Sequence, residues 1–171
     1  MKIFGFAGWS GSGKTTLVEQ LVPRLVGRGL KVSLVKHAHH HFEVDQPGKD
    51  SYRHRHAGCT EVLVTSIERW ALMHELRGDP ELRLPDVLAR LSPCDLVLVE
   101  GYKRHPLPKL EIYRAALGKP LLHPGDANIV GLATDTPAAF SGVRIPVFGL
   151  GAYDALATFV EERAVYATAG G

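Results

Sequence analysis

The chain has 171 residues, 45% of them hydrophobic, and a formal net charge of +2. This suits one globular domain over residues 1–171, and it gives no argument from charge for nucleic acid as a partner. No apolar run approaches the roughly 20 residues of a membrane span. The N-terminus enters an apolar run at once rather than opening as a secretory signal, and Cys59 and Cys94 form no C-x-x-C pair, so a reduced, cytoplasmic setting is expected.

Lys2 to Ala7 is a short apolar run suited to a buried strand. It leads into Gly8-Trp9-Ser10-Gly11-Ser12-Gly13-Lys14-Thr15, which fits G-x-x-x-x-G-K-[ST], and Thr16 follows. The glycines let the backbone turn tightly and bring its N–H groups to phosphate oxygens. Lys14 supplies an ammonium for the outer phosphates, and the Thr15 hydroxyl can ligate Mg²⁺. Leu17, Val18, Leu21, Val22 and Leu25 then recur at helical spacing, so a helix from about Lys14 to Arg28 is expected, with Pro23 kinking it and Gly29 ending it. The order of strand, loop and helix is the context a P-loop needs. Ser10, Gly11, Ser12, Gly13, Lys14, Thr15 and Thr16 are the expected phosphate-binding residues.

Lys31 to Lys36 reads as the second strand. Residues 37–58 hold six of the nine histidines together with Lys49, Arg53 and Arg55. Pro47-Gly48 reads as a turn, and Asp50 or Ser51 as the cap of a short helix ending near Gly58. Glu61 to Thr65 and Trp70 to Leu76 alternate as a hairpin on the sheet edge. Pro80 to Leu91 reads as helix, and Asp95 to Gly101 as a buried strand. Leu110 to Arg114, Asn128 to Thr134 and Ile145 to Phe148 read as further strands, and Ala152 to Val165 as a closing helix. This alternation predicts an α/β fold of the P-loop NTPase-like, three-layer kind: a mostly parallel sheet with helices on both faces.

A nucleotide hydrolase needs a carboxylate near Mg²⁺ at the end of a neighbouring strand. Asp95 begins its strand and lies at the wrong end; Glu100 ends it and is the expected acid, with Lys14 the other catalytic residue. Asp45 is a second candidate, because its loop leaves the same sheet edge; an exposed loop acid is the other reading. Asp135, after an apolar strand, could meet a guanine edge or serve as a turn residue. The histidine block allows three readings: a metal site on His37, His39, His40 and His41, a solvated loop, or an anion- or partner-facing loop of His37, His40, Lys49, Asp50 and Arg53. The third is preferred, because the loop leaves the strand ends on the P-loop side.

The P-loop, the segment Lys36 to Ser51 with its Pro-Gly-Lys-Asp-Ser block, Val99-Glu100-Gly101-Tyr102-Lys103, Pro108 to Arg114 and Ala133-Thr134-Asp135 together resemble the MobB family of molybdopterin-guanine dinucleotide biosynthesis adapters. The resemblance implies a homodimer that binds GTP with Mg²⁺ at Gly11 to Thr16 and Glu100 and hydrolyses it weakly. It implies partnership with MobA, the guanylyltransferase that joins GMP to molybdopterin, and leaves open whether molybdopterin itself binds. Two alternatives remain: a P-loop small-molecule kinase, whose Arg-bearing lid Arg77 and Arg83 match poorly, and a metallochaperone GTPase carrying nickel on the histidines.

Overall fold

The computed structural model describes residues 1–38, 42–103 and 105–167. Its backbone is organised around β1 (Lys2–Ala7), whose last five residues are all buried. Parallel to β1 run β5 (Leu96–Glu100) on one side and β6 (Lys109–Tyr113) on the other. β2 (Val32–Lys36) lies outside β5, while β7 (Ile129–Thr134) and β8 (Val147–Gly149) continue beyond β6. The order is thus β2-β5-β1-β6-β7-β8, all parallel, and β9 (Val165–Tyr166) adds an antiparallel pairing to Lys2 and Ile3 of β1. Successive side chains of a strand point to opposite faces. Phe4, Phe6, Leu98, Leu110 and Ile112 therefore share one face, covered by α1 (Lys14–Gly27) and α4 (Tyr153–Arg163). Ile3, Val97 and Val99 share the other, covered by α3 (Leu84–Leu88) and Leu107. Each of these buried side chains contributes roughly 1.5–3 kcal/mol by leaving water. The three-layer, mostly parallel α/β architecture expected from the sequence is the architecture observed.

Element ends follow local chemistry. α1 runs through Pro23 and ends where Gly29 takes a left-handed φ of 87°. The Gly29 amide donates to the Val26 carbonyl and the Leu30 amide to the Leu25 carbonyl, the paired bonds of a Schellman cap. The helix expected over Pro80 to Leu91 is confined to Leu84–Leu88. Pro85 sits in its first turn, where the missing N–H is no loss, and Pro80 lies outside.

Contacts divide the chain into two compact units, Met1–His37 with the part from Leu84 onward, and Ala38–Arg83. The sequence pattern marks no boundary at either junction. The smaller unit holds α2 (Asp50–His56) and a hairpin of β3 (Glu61–Thr65) and β4 (Trp70–His74). The hairpin was expected on the edge of the main sheet; it forms a two-stranded sheet of its own. Alternation specifies a strand but not the sheet it joins. Neither Asp50 nor Ser51 caps α2: Lys49 is the N-cap residue, with no side-chain cap bond, and Asp50 is the first helical residue.

Candidate phosphate-binding site

The pairing register brings three chain segments to one sheet edge. Phe6 of β1 stands opposite Glu100 of β5, and Glu100 stands opposite Lys36 of β2. One residue beyond Ala7 the chain leaves the sheet at Gly8 and turns back to begin α1 at Lys14. The turn depends on glycine. Gly8 has φ 151°, and a Cβ there would stand 2.6 Å from the Ile112 carbonyl oxygen. Gly13, the N-cap of α1, has φ 92° and no side-chain cap. The first amides of α1 therefore lack an intrahelical acceptor, so N–H groups and the positive end of the helix dipole face the loop.

The Lys14 ammonium lies within this loop, donating to the carbonyl oxygens of Gly8 and Trp9 at 3.0 Å each. Burial pushes its pKa below the ordinary lysine value; Glu100 opposes that shift, and the charges of Lys103 and Lys36 add to it. The Thr15 hydroxyl donates to Glu100 Oε1 at 3.3 Å, and the Lys36 ammonium stands 4.0 Å from Glu100 Oε2. A hydroxyl and a buried carboxylate, with two ammonium groups nearby, are hard oxygen donors suited to Mg²⁺ beside an anion. The Ser12 hydroxyl is 1% exposed by residue and has no hydrogen-bond partner among the described residues. An orphaned donor within the loop fits a ligand rich in acceptor oxygens. Ser10 and Gly11 lie in the same turn, and Thr16 in the first turn of α1.

Asp135 follows β7, where its carboxylate accepts the Ala115 amide at 3.2 Å, a turn-holding contact. His37 follows β2, its amide donating to the Glu100 carbonyl and its ring 5.0 Å from that of Tyr102. In the smaller unit, Asp45 accepts from Arg55 at 2.7 Å, and Glu43 and Glu75 engage the same guanidinium. The bond from Arg55 holds the Asp45 carboxyl below the usual carboxylate range. Lys49, Asp50 and Arg53 are exposed along the start of α2, and Asp50 and Arg53 help line an open concavity of about 710 Å³. His39, His40, His41 and Arg104 lie outside the described residues. Among the described residues no group of three or more His, Cys, Asp or Glu side chains is placed to hold a metal ion.

Sequence reading gave no role of their own to Arg114, Lys109 and Glu111. Arg114, just beyond β6, donates through Nε to the Ser12 carbonyl at 3.0 Å, and a Cβ on Gly13 would meet its guanidinium at 3.2 Å. Trp9 Nε1 donates to the Pro120 carbonyl at 2.8 Å. Lys109 and Glu111 of β6 are 2% and 1% exposed. The Lys109 ammonium pairs with Asp126 at 2.9 Å and donates to the carbonyls of Lys103 and His105. Burial opposes ionisation of Asp126, but bonds from Lys109 and Asn128 overcome it and hold the carboxyl below its ordinary range. Burial, with the Lys109 charge nearby, pushes His105 below the ordinary imidazole value. Glu111 accepts the amides of Leu122 and His123 at 2.7 and 2.9 Å and faces His123 Nδ1 at 3.1 Å. The one available signal was the charge–apolar alternation of Lys109 to Ile112, which ordinarily marks a solvent face rather than a buried one.

Sequence and structure comparisons agree with one another. The family described as Molybdopterin guanine dinucleotide synthesis protein B (MobB) matches residues 3–135. The molybdopterin-guanine dinucleotide biosynthesis adapter protein of Escherichia coli (strain K12) is 39% identical over 163 residues, spanning 94% of this chain and 91% of that protein. Its counterpart in Haemophilus influenzae is 44% identical over 138 residues, 79% of this chain and 75% of that one. The crystal structure of Bacillus subtilis MobB aligns with a TM-score of 0.75 at 22% identity, over 96% of this chain and 99% of that one, a likeness of fold.

Proposed function

The chain belongs to the MobB family, and from that premise we propose that it is a GTP-binding adapter in the synthesis of molybdopterin guanine dinucleotide. The observation that carries the nucleotide reading is the meeting of Lys14, Thr15 and Glu100 at one sheet edge, around a glycine-shaped turn. The amides from Gly11 to Thr16 and the Lys14 ammonium would neutralise the β- and γ-phosphates. Thr15 and Glu100 would hold Mg²⁺, which when bound spreads the negative charge of the phosphate oxygens. Lys36 balances the Glu100 carboxylate from the neighbouring strand. Nothing among the described residues at this edge is an evident base for the attacking water, and Arg114 is turned to the Ser12 carbonyl, so slow hydrolysis is expected.

On this reading the protein acts in the cytoplasm as a homodimer and assists MobA, the guanylyltransferase, rather than replacing it. The family relationship supports the pathway. The test is calorimetry of GTP and ATP with and without Mg²⁺, followed by addition of MobA. Tight Mg²⁺-dependent binding of GTP over ATP is expected. Lys14→Ala should weaken GTP binding by at least about thirtyfold, equivalent to about 2 kcal/mol. An unaltered GTP affinity in that variant would remove the reading.

A further inference from the structure

Two buried charges on β6 take no part in the site just described. Lys109 and Glu111 share the same face of that strand, and each is directed at a loop. Burying a charge is costly unless it is paired and hydrogen-bonded, and both are. Lys109 fixes the main chain at Lys103 and His105. Glu111 fixes the main chain at Leu122 and His123. The two loops converge on one side chain, Trp9 of the phosphate loop. Pro120 of the second loop accepts the indole N–H at 2.8 Å, which sets the plane of the ring. The Lys103 ammonium lies over the ring at 5.5 Å from its centroid, and that of Lys119 at 5.9 Å. Both lysines are exposed, while the indole is partly buried.

An oriented, partly open aromatic surface flanked by two long, mobile cations has a specific chemical complement. Planar heterocycles stack on indole through their faces, and ammonium groups seek phosphate oxygens. Lysine stems are flexible enough to move from the ring to an incoming anion while the ring stays in place. We propose that Trp9, Lys103 and Lys119 form a second anion site beside the phosphate loop, which takes a phosphate monoester carried on a planar nitrogen heterocycle of the pterin class. The site follows from the geometry; the choice of the pterin class rests on the family-based reading above. Such a ligand would stack its ring on Trp9 and present its phosphate to the two lysines. That would hold it next to a nucleotide on the loop that Trp9 itself belongs to.

The chain has two tryptophans, so a Trp70→Phe background leaves Trp9 as the sole indole reporter. Neopterin monophosphate is titrated against this protein, with neopterin and inorganic phosphate as controls, and GTP binding is measured separately by calorimetry. The expected result is quenching of Trp9 emission by neopterin monophosphate at concentrations below about 1 mM, with neopterin and phosphate each binding at least about tenfold more weakly. Lys103→Gln combined with Lys119→Gln should weaken neopterin monophosphate by about tenfold or more. Saturating GTP should leave the quenching in place. Any of four results would overturn the proposal: no quenching, equal binding of inorganic phosphate, unchanged binding by the double variant, or one-for-one displacement by GTP. Quenching without any GTP binding would instead overturn the nucleotide reading and leave this site standing.

Discussion

The two strands that flank β1 carry their charge in opposite ways. β5 is apolar from Leu96 to Val99 and turns acidic only at its last residue, Glu100, where the sheet meets the phosphate loop. β6 is charged at its first residue, Lys109, and in mid-strand, at Glu111, and both side chains are withdrawn from solvent. Glu100 keeps company with a hydroxyl and two ammonium groups that a ligand can recruit. Glu111 has already committed both carboxylate oxygens to backbone amides, and Lys109 has committed its ammonium to Asp126 and two carbonyls. A charge at a strand end remains available for chemistry. A carboxylate two residues inward, as at Glu111, becomes a fixture for loops, because a buried ion must satisfy its bonding capacity within the protein.

The contrast can be broken at either strand. Glu111→Ala should destabilise the fold most, by about 3 kcal/mol in chemical denaturation, because it strips two partly buried amides of their acceptor; an effect below about 1 kcal/mol would remove the anchoring role. Gly5→Ala should follow at about 2 kcal/mol, since a Cβ there meets Lys109 Cγ at 2.7 Å and Leu107 Cδ1 at 2.9 Å, overpacking the very stem that β6 buries. Glu100→Gln should leave stability within about 1 kcal/mol of the parent and lower the Mg²⁺ enhancement of GTP binding about tenfold. A Glu100→Gln protein that unfolds early but keeps its Mg²⁺ response would make β5 a second β6. The smallest effect is expected in the other unit. The bond from Arg55 depresses the folded-state pKa of Asp45. Its stabilisation is therefore present above the unfolded carboxylate value of about 3.9 and is lost as pH falls through the lower folded value. Asp45→Asn should lower stability slightly across the neutral region and flatten the acid limb of a stability–pH curve, the two proteins converging at low pH; an unaltered acid limb would show that the Arg55 bond contributes nothing.

The parts of the molecule governed by short-range rules were legible before any coordinates. The glycine spacing between an apolar strand run and a helical run specifies the turn that opens α1, and the apolar run ending in Glu100 places an acid beside it. What stayed hidden depends on pairings distant in sequence. Lys109 and Glu111 look like solvent-facing residues until the 120–126 loop folds over them. Arg114 is an unremarked basic residue after a strand until the turn at Ser12 arrives, 102 residues away. Asp45 read as a loop acid at the right edge; its commitment to Arg55 shows only once α2 has formed. Alternation in the hairpin announced strands truthfully, yet could not say that they would pair only with each other.

The strand that launches the loop before α1 precedes all of its sheet partners in the chain and waits for each of them. β1 acquires parallel neighbours only when residues 96–113 exist, and its opening residues, Lys2 and Ile3, gain a second, antiparallel partner only with Tyr166 and Val165. So many distant pairings make closure of the central sheet a late event in synthesis, governed by topology more than by local preference. Until then a bare apolar β1 is a sticky edge, a hazard that a growing chain meets with speed or with chaperones.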